Sequence, residues 1–188
     1  MKKRRIENKY IDVIKKTSIS VIASPYFFEN AHKRRVSLGL VKFVFGIMAQ
    51  RSYVKESGEG TESKLIITDG FDAILVARIS RDEIMLINAF RFDSIKNNSI
   101  EIVKVKMPNM IIAASRHFEQ RYNKRKIDLA LIATVDKQVN TSPINQPFVI
   151  SDGESTLVAV KKSHTTITLQ TCYKNGEIDW DDFLDKKL

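Results

Sequence analysis

Four short apolar runs, at 65–68, 73–79, 84–92 and 100–105, are rich in Ile, Val and Leu and are broken by Asp69-Gly70, Ser80-Arg81-Asp82 and Lys96-Asn97-Asn98. Runs of this length, punctuated by turn residues at this spacing, read as strands, and a chain that carries them must build a sheet. The pattern predicts an antiparallel meander with one face buried. Three further strands are predicted at 148–150, 156–161 and 166–173, with turns at Asp152-Gly153 and Lys162-Ser163-His164, and Pro143 and Pro147 bracketing the loop before them.

The rest of the chain reads as helical. Ile6, Tyr10, Val13, Ile14 and Thr17 have helical spacing and predict a helix over 5–22, closed by Ser24-Pro25 because a residue before proline is pushed out of the helical region. A second helix is predicted over 30–55 on Val36, Leu40, Phe43, Val44, Ile47 and Met48, with Gly39 and Gly46 marking a kink or close packing. Its first turn would carry His32-Lys33-Arg34-Arg35, where the helix dipole disfavours cations and an anionic partner would relieve the strain. Pro108 suits the first turn of a helix over 109–124, and Asp128 is a natural N-cap for a short one reaching Lys137. The expected class is α+β: N-terminal helices, an antiparallel meander, then a helix pair packed on an antiparallel sheet. No internal repeat or low-complexity tract is apparent.

With 188 residues the chain is long enough for one domain and part of another. The segment 56–62, two glycines and three glutamates with no apolar side chain, reads as a linker. The expected blocks are a basic helical region at 1–62, the meander at 63–106, an α+β domain at 107–175 and an acidic tail at 176–188, anchored by Trp180. Charge follows these blocks. Residues 1–55 hold 13 basic and 3 acidic side chains, enough to account for the net charge of +9. Clustered positive charge attracts polyanions, so nucleic acid is the expected partner, ahead of an anionic surface or an acidic protein.

The longest apolar run, 38–49, contains Lys42 and is too short to span a bilayer, and Glu7, Asn8, Lys9 and Asp12 interrupt what would be a signal sequence. The lone Cys172 excludes an internal disulfide framework and suits a reducing compartment, so a cytoplasmic location is expected. No zinc pattern, Walker motif or phosphate-binding glycine loop is present, and neither metal nor cofactor is expected.

The stretch 115–127, SRHFEQRYNKRKI, carries the candidate chemistry. On a helix His117 and Arg121 share a face, with Lys124 and Arg125 one turn on. Neighbouring cations disfavour imidazolium and leave His117 able to accept a proton, while the cations bind a phosphodiester and stabilise charge on its oxygens. Thr171 and Tyr173, two apart on the last strand, point to one sheet face and could act as phosphate ligands or relays, with Thr165 or Lys162 joining from the preceding turn. His164 is expected to be an exposed turn residue, His32 a phosphate or solvent contact, and Cys172 a small core residue.

The order S-x-H-x-x-x-R-x-x-x-R-x-I, a short helix, several strands and a closing I-x-L-x-T-C-Y is similar to the small nucleases grouped with barnase, EndoU, colicin and RelE-type toxins. The resemblance covers about residues 110–175. It implies helices packed on a four-stranded antiparallel sheet and metal-independent RNA cleavage by general acid–base chemistry, in a toxin-like or a phage or plasmid accessory protein. It places His117 on the helix histidine, Arg121 and Arg125 on the arginines, and Thr171 with Tyr173 on the closing strand. The nucleic-acid contacts expected beside them are Lys33, Arg34, Arg35, Arg116, Lys124, Lys126 and Lys162, with RNA favoured over DNA. Two alternatives remain open: a non-catalytic DNA- or RNA-binding accessory protein, and an inhibitor or immunity module whose partner is an acidic protein such as an antitoxin.

Overall fold

The computed structural model describes residues 11–13, 19–49, 63–95, 99–107, 109–135 and 141–174. The fold is α+β. In chain order it runs β1 (Ile11–Val13), β2 (Ser20–Ala23), α1 (Phe27–Arg34), a 3-10 turn (Leu38–Leu40), α2 (Val41–Ala49), β3 (Ser63–Thr68), β4 (Asp72–Ser80), β5 (Glu83–Arg91), β6 (Glu101–Lys104), β7 (Ile111–Ala114), α3 (Arg116–Arg125), a second 3-10 helix (Leu129–Thr134), β8 (Pro147–Ser151), β9 (Ser155–Ser163) and β10 (Thr166–Lys174). Two five-stranded sheets result, ordered β2-β5-β4-β3-β6 and β1-β8-β9-β10-β7. Each has an antiparallel meander at its centre and a parallel strand on either edge, so both are mixed rather than purely antiparallel. Among the described residues, no helix is long and apolar enough to cross a membrane.

The strands of the two meanders fall where the apolar runs place them. The helices do not. Within the stretch expected to form a helix over 5–22, residues 11–13 and 20–23 are strands, because β1 and β2 find parallel partners in β8 and β5. Ser24-Pro25 therefore precedes a helix instead of ending one. That helix, α1, starts at Phe27 and stops at Arg35, whose left-handed φ of 54° breaks the span expected to run to 55. His32, Lys33 and Arg34 thus occupy its last turn, where the dipole favours cations, and the expected strain at a helix start does not arise. The helix expected over 109–124 is a strand, β7, followed by α3; Pro108 and the 56–62 linker lie outside the described residues, as does the tail with Trp180. Asp128 does cap, accepting from Ala130 N–H at 2.8 Å, but what it opens is 3-10. Close packing holds at Gly39, where a Cβ would stand 2.9 Å from Met107 Cε, whereas Gly46 faces open space.

The chain is also internally duplicated, contrary to the expectation of no repeat. Ser24, Phe27, Lys33, Arg34, Leu38 and Leu40 recur 91 positions on as Ser115, Phe118, Lys124, Arg125, Leu129 and Leu131. Asp69, Gly70, Ser80, Ile84 and Leu86 recur 83 positions on as Asp152, Gly153, Ser163, Ile167 and Leu169. The hydrogen bonds repeat with them. Asp69 Oδ1 accepts from the backbone N–H of Phe71 and Asp72, and Asp152 Oδ1 from Glu154 and Ser155, around Gly70 and Gly153 at φ 99° and 91°. A β-bulge falls at Ile87 and at Gln170. The bulge carbonyl, left without a ladder partner, accepts from the Ser24 hydroxyl (2.6 Å) and from the Ser115 hydroxyl (3.0 Å).

The halves are interlocked. β6, which precedes the second half, completes the first sheet beside β3; β1, which precedes the first half, completes the second sheet beside β8. The 3-10 caps cross over as well: Ser37 Oγ accepts from Ile112 N–H at 3.1 Å, and Asp128 Oδ1 from Val21 N–H at 2.9 Å. One continuous core results, with Phe27, Phe28, Leu40, Phe118, Tyr122 and Leu131 among its members. The expected blocks 1–62, 63–106 and 107–175 therefore do not coincide with the units seen, since both sheets draw strands from across those boundaries.

Because Asp128 both caps its own helix and holds the opposite half's edge strand, Asp128→Ala orphans two N–H groups. The expected loss of stability is about 2–4 kcal/mol, against about 1 kcal/mol for an exposed cap, measured by urea unfolding.

Candidate nucleic-acid interface

Helices α1 and α3 are the equivalent elements of the two halves, and their side chains meet. Phe28 packs edge-on against Phe118 and Tyr122, with ring centroids 5.6 and 4.9 Å away. Ser115 caps α3 by accepting from Phe118 N–H, which starts the helix one residue before His117. Buried Phe118 and Tyr122 then fix its orientation, and the Tyr122 hydroxyl accepts from Ala23 N–H at 2.6 Å. Burial pushes the Tyr122 phenol up to about 12, the hydrogen bond from Ala23 opposing it.

This orientation leaves α3 with two polar flanks. One carries His117, Arg121 and Arg125 and lies toward the end of β10. There the Arg125 guanidinium donates to the Cys172 carbonyl at 3.0 Å and lies 4.9 Å from the Tyr173 ring centroid. Arg34 does the same work in the first half, donating to the Ala89 carbonyl at 3.0 Å. Both arginines satisfy a strand carbonyl beyond the end of the neighbouring parallel strand, so each has a structural task that its sequence context does not disclose.

The Gln170 bulge rearranges the rest of the expected constellation. Strict alternation from Ile167 and Leu169 would have carried Thr171 and Tyr173 on the face that packs against α3. The extra residue moves Cys172 onto that face, 4.0 Å from the Phe118 carbonyl, and turns Thr171 away from α3. Thr171 is buried and its hydroxyl makes no hydrogen bond. The structure thus brings Arg125 and Tyr173 together, sets Arg121 and exposed His117 along the same flank, and excludes Thr171. Cys172 is a core residue, its thiol pushed up to about 12 by burial, with Arg125 and Arg121 opposing the shift.

The other flank of α3 faces α1 across a groove of about 520 Å3, lined by Glu29, His32, Lys33, Arg116, Glu119, Gln120 and Asn123. A cleft of about 290 Å3 adjoins it, sharing His32 and Glu119 and adding Arg35 and Ile111. Lys33, Arg34, Arg35, Arg116, Lys124 and Lys126 are all exposed on or beside the two helices. Arg35 and Lys126 close them in the left-handed conformation, at φ 54° and 49°. Lys162 is exposed at the far end of β9 and His164 in the turn after it, apart from the helix pair. Among the described residues no group of three or more His, Cys, Asp or Glu side chains is placed to hold a metal ion.

No family model, curated protein or solved structure matches the chain.

Two outcomes follow from this geometry. Thr171→Val removes a buried hydroxyl without a partner, so urea unfolding is expected to show unchanged or slightly raised stability, by up to about 1 kcal/mol. Cys172 and Tyr122 are held neutral by burial, so each contributes to the loss of stability in alkali. Both are raised in the folded state, so their contribution is intact below pH 9 and is lost as pH rises toward 12. Cys172→Ala should remove the part of the loss that starts near pH 9, and Tyr122→Phe the part that starts near pH 10, in urea midpoints taken across that range.

Proposed function

We propose that this chain binds nucleic acid, RNA in preference to DNA, across the surface formed by α1 and α3. The observation that carries the reading is the exposed set Lys33, Arg35, Arg116, Lys124 and Lys126, without an ion-pair partner among the described residues. Glu29 and Glu119 are the acidic residues that these two helices contribute. Permanent cations spread over two adjoining helices suit a chain of phosphates better than a single small anion.

The helix caps support the same reading. A left-handed cap is the position where glycine costs least, and a residue with a Cβ pays about 1 kcal/mol to sit there. Both halves nevertheless place a cation at it, Arg35 and Lys126. A residue held in a less favourable conformation at an exposed position is a functional candidate.

Metal-independent RNA cleavage is the second reading. It rests on His117 standing exposed on the Arg121 flank, where it could serve as acid or base with Arg121 on the phosphate. It is weaker because Thr171 turns away and Arg125 is committed to Cys172. An acidic protein such as an antitoxin or immunity factor would meet the same cations and is an outcome of the binding test. The single cysteine, buried and reduced, fits a cytoplasmic location.

The test is fluorescence anisotropy with a labelled RNA across a salt series. Tight, salt-sensitive binding is expected, and Lys33→Ala with Lys124→Ala should lower the slope of log K against log salt by about 0.7–0.9 for each phosphate no longer neutralised. Arg35→Gly and Lys126→Gly should weaken binding while leaving urea stability unchanged or raised by up to about 1 kcal/mol. Absence of binding to RNA, with binding to an acidic protein instead, overturns the reading. Total RNA incubated with chelator should stay intact; fragments that vanish with His117→Ala would establish cleavage.

A further inference from the structure

A cleft of about 790 Å3 lies away from the helix pair, against the Asp69-Gly70 turn, with Phe71, Lys104, Lys106, Met107 and Ile111 in its wall. Phe71 is 77% exposed, the most exposed large apolar side chain among the described residues, and it stands at the tip of a turn that Asp69 and Gly70 hold in place. An aromatic ring held out on a rigid turn presents an open face on which a planar group can stack. The Lys104 and Lys106 side chains form no ion pair or hydrogen bond among the described residues, and the Lys104 side chain lies over Gly70. The two aspartates in the wall are already engaged. Asp72 takes the Arg91 guanidinium and Ser37 N–H, and Asp69 Oδ1 takes two backbone N–H groups. The cleft therefore offers an aromatic face beside two uncommitted cations.

It also adjoins the helix surface at Ile111. Ile111 lines both this cleft and the one containing Arg35 and His32, and His32 in turn lines the α1/α3 groove with Lys33 and Arg116. A cationic track therefore runs from Lys104 and Lys106 past Arg35 to Lys33 and Arg116. In the second half the equivalent cleft, about 390 Å3, is lined by Glu83, Asp128, Asp152 and Glu154 together with Lys126 and Lys174, with Glu154 where the first half has Phe71. The second cleft has no aromatic side chain in its wall, so only the first pairs an exposed ring with two lysines.

We propose that the track takes single-stranded RNA, with a base stacked on Phe71, the adjoining phosphates on Lys104 and Lys106, and the strand leading on to the α1/α3 groove. This rests on the nucleic-acid reading above and narrows it. Paired bases are stacked on each other and offer no free face to an aromatic side chain, whereas unpaired bases do, and stacking plus backbone cations is how single strands are held.

The experiment is anisotropy of the full chain with a labelled 12-nucleotide oligouridine, the same length of RNA duplex, and a polyglutamate peptide as competitor. The single strand should bind more tightly than the duplex. Phe71→Ala should weaken it at least about fivefold and Phe71→Trp should restore it, as expected for a stacked base. Lys104→Ala with Lys106→Ala should lower the single-strand salt slope by about 1.4. All three positions are at the surface, and unchanged thermal unfolding will verify the fold. Single-strand binding that Phe71→Ala and the lysine pair leave untouched overturns the track but spares the helix surface, as does a preference for duplex. Failure to bind either RNA, or displacement by polyglutamate at equal charge, overturns both.

Discussion

Each half of this molecule is short of one strand, and the other half supplies it. β6 fills the edge beside β3 and β1 the edge beside β8, while the 3-10 caps Ser37 and Asp128 reach across to N–H groups of the opposite edge strand. Open strand edges are costly to bury and hazardous to expose. Reciprocal exchange fills both at once, and it binds the two sheets and the helices among the described residues around a single core. The placement of α1 against α3, and hence the cationic surface, follows from that exchange, because the helices are anchored on β5 and β10 through Arg34 and Arg125.

The strands of both meanders were legible, because Asp-Gly turns and Ile, Val and Leu runs state a local preference that the tertiary structure keeps. The core roles of Phe43, Val44 and Met48, and of Cys172, were legible for the same reason. β1, β2 and β7 were not. They are three or four residues long and pair in parallel with distant partners, so no local pattern identifies them, and short apolar runs with lysines between them satisfy a helical template equally well. The left-handed caps at Arg35 and Lys126 were hidden too, since neither residue type announces positive φ. The duplication escaped because its identities are thinly spaced and the register falls from 91 to 83 where the first half carries eight more residues between helix and meander.

The candidate site was half legible. Helical spacing does put His117, Arg121 and Arg125 on one flank, and Tyr173 does meet Arg125. The alternation of Thr171 and Tyr173 against Cys172 holds, but the bulge at Gln170 sets Cys172, and not Thr171, on the face toward α3. One local cue existed. Ser115 has the same place before α3 as Ser24 before α1, and both serve the bulge carbonyl, but the cue has meaning only once the halves are superimposed.

The duplication also sorts residues by task, since two copies of one architecture share what folding requires and differ where only one copy has further work. The Asp-Gly turns, the serine at the bulge, the helix arginine and the left-handed cation recur, and each has the same contact in both halves. Arg125 belongs with these, so its presence beside Tyr173 needs no reaction to explain it. Phe71 against Glu154, Arg116 against Pro25 and His117 against Tyr26 are among the many positions where the halves differ, and Lys104 and Val13 take equivalent places on the two exchanged edge strands. Phe71 and Lys104 line one cleft and Arg116 the α1/α3 groove, whereas the second half's cleft combines Glu83, Asp152 and Glu154 with Lys126 and Lys174. The contacts that repeat are thus the ones this architecture needs, and surface positions that make none of them are free to differ between the halves.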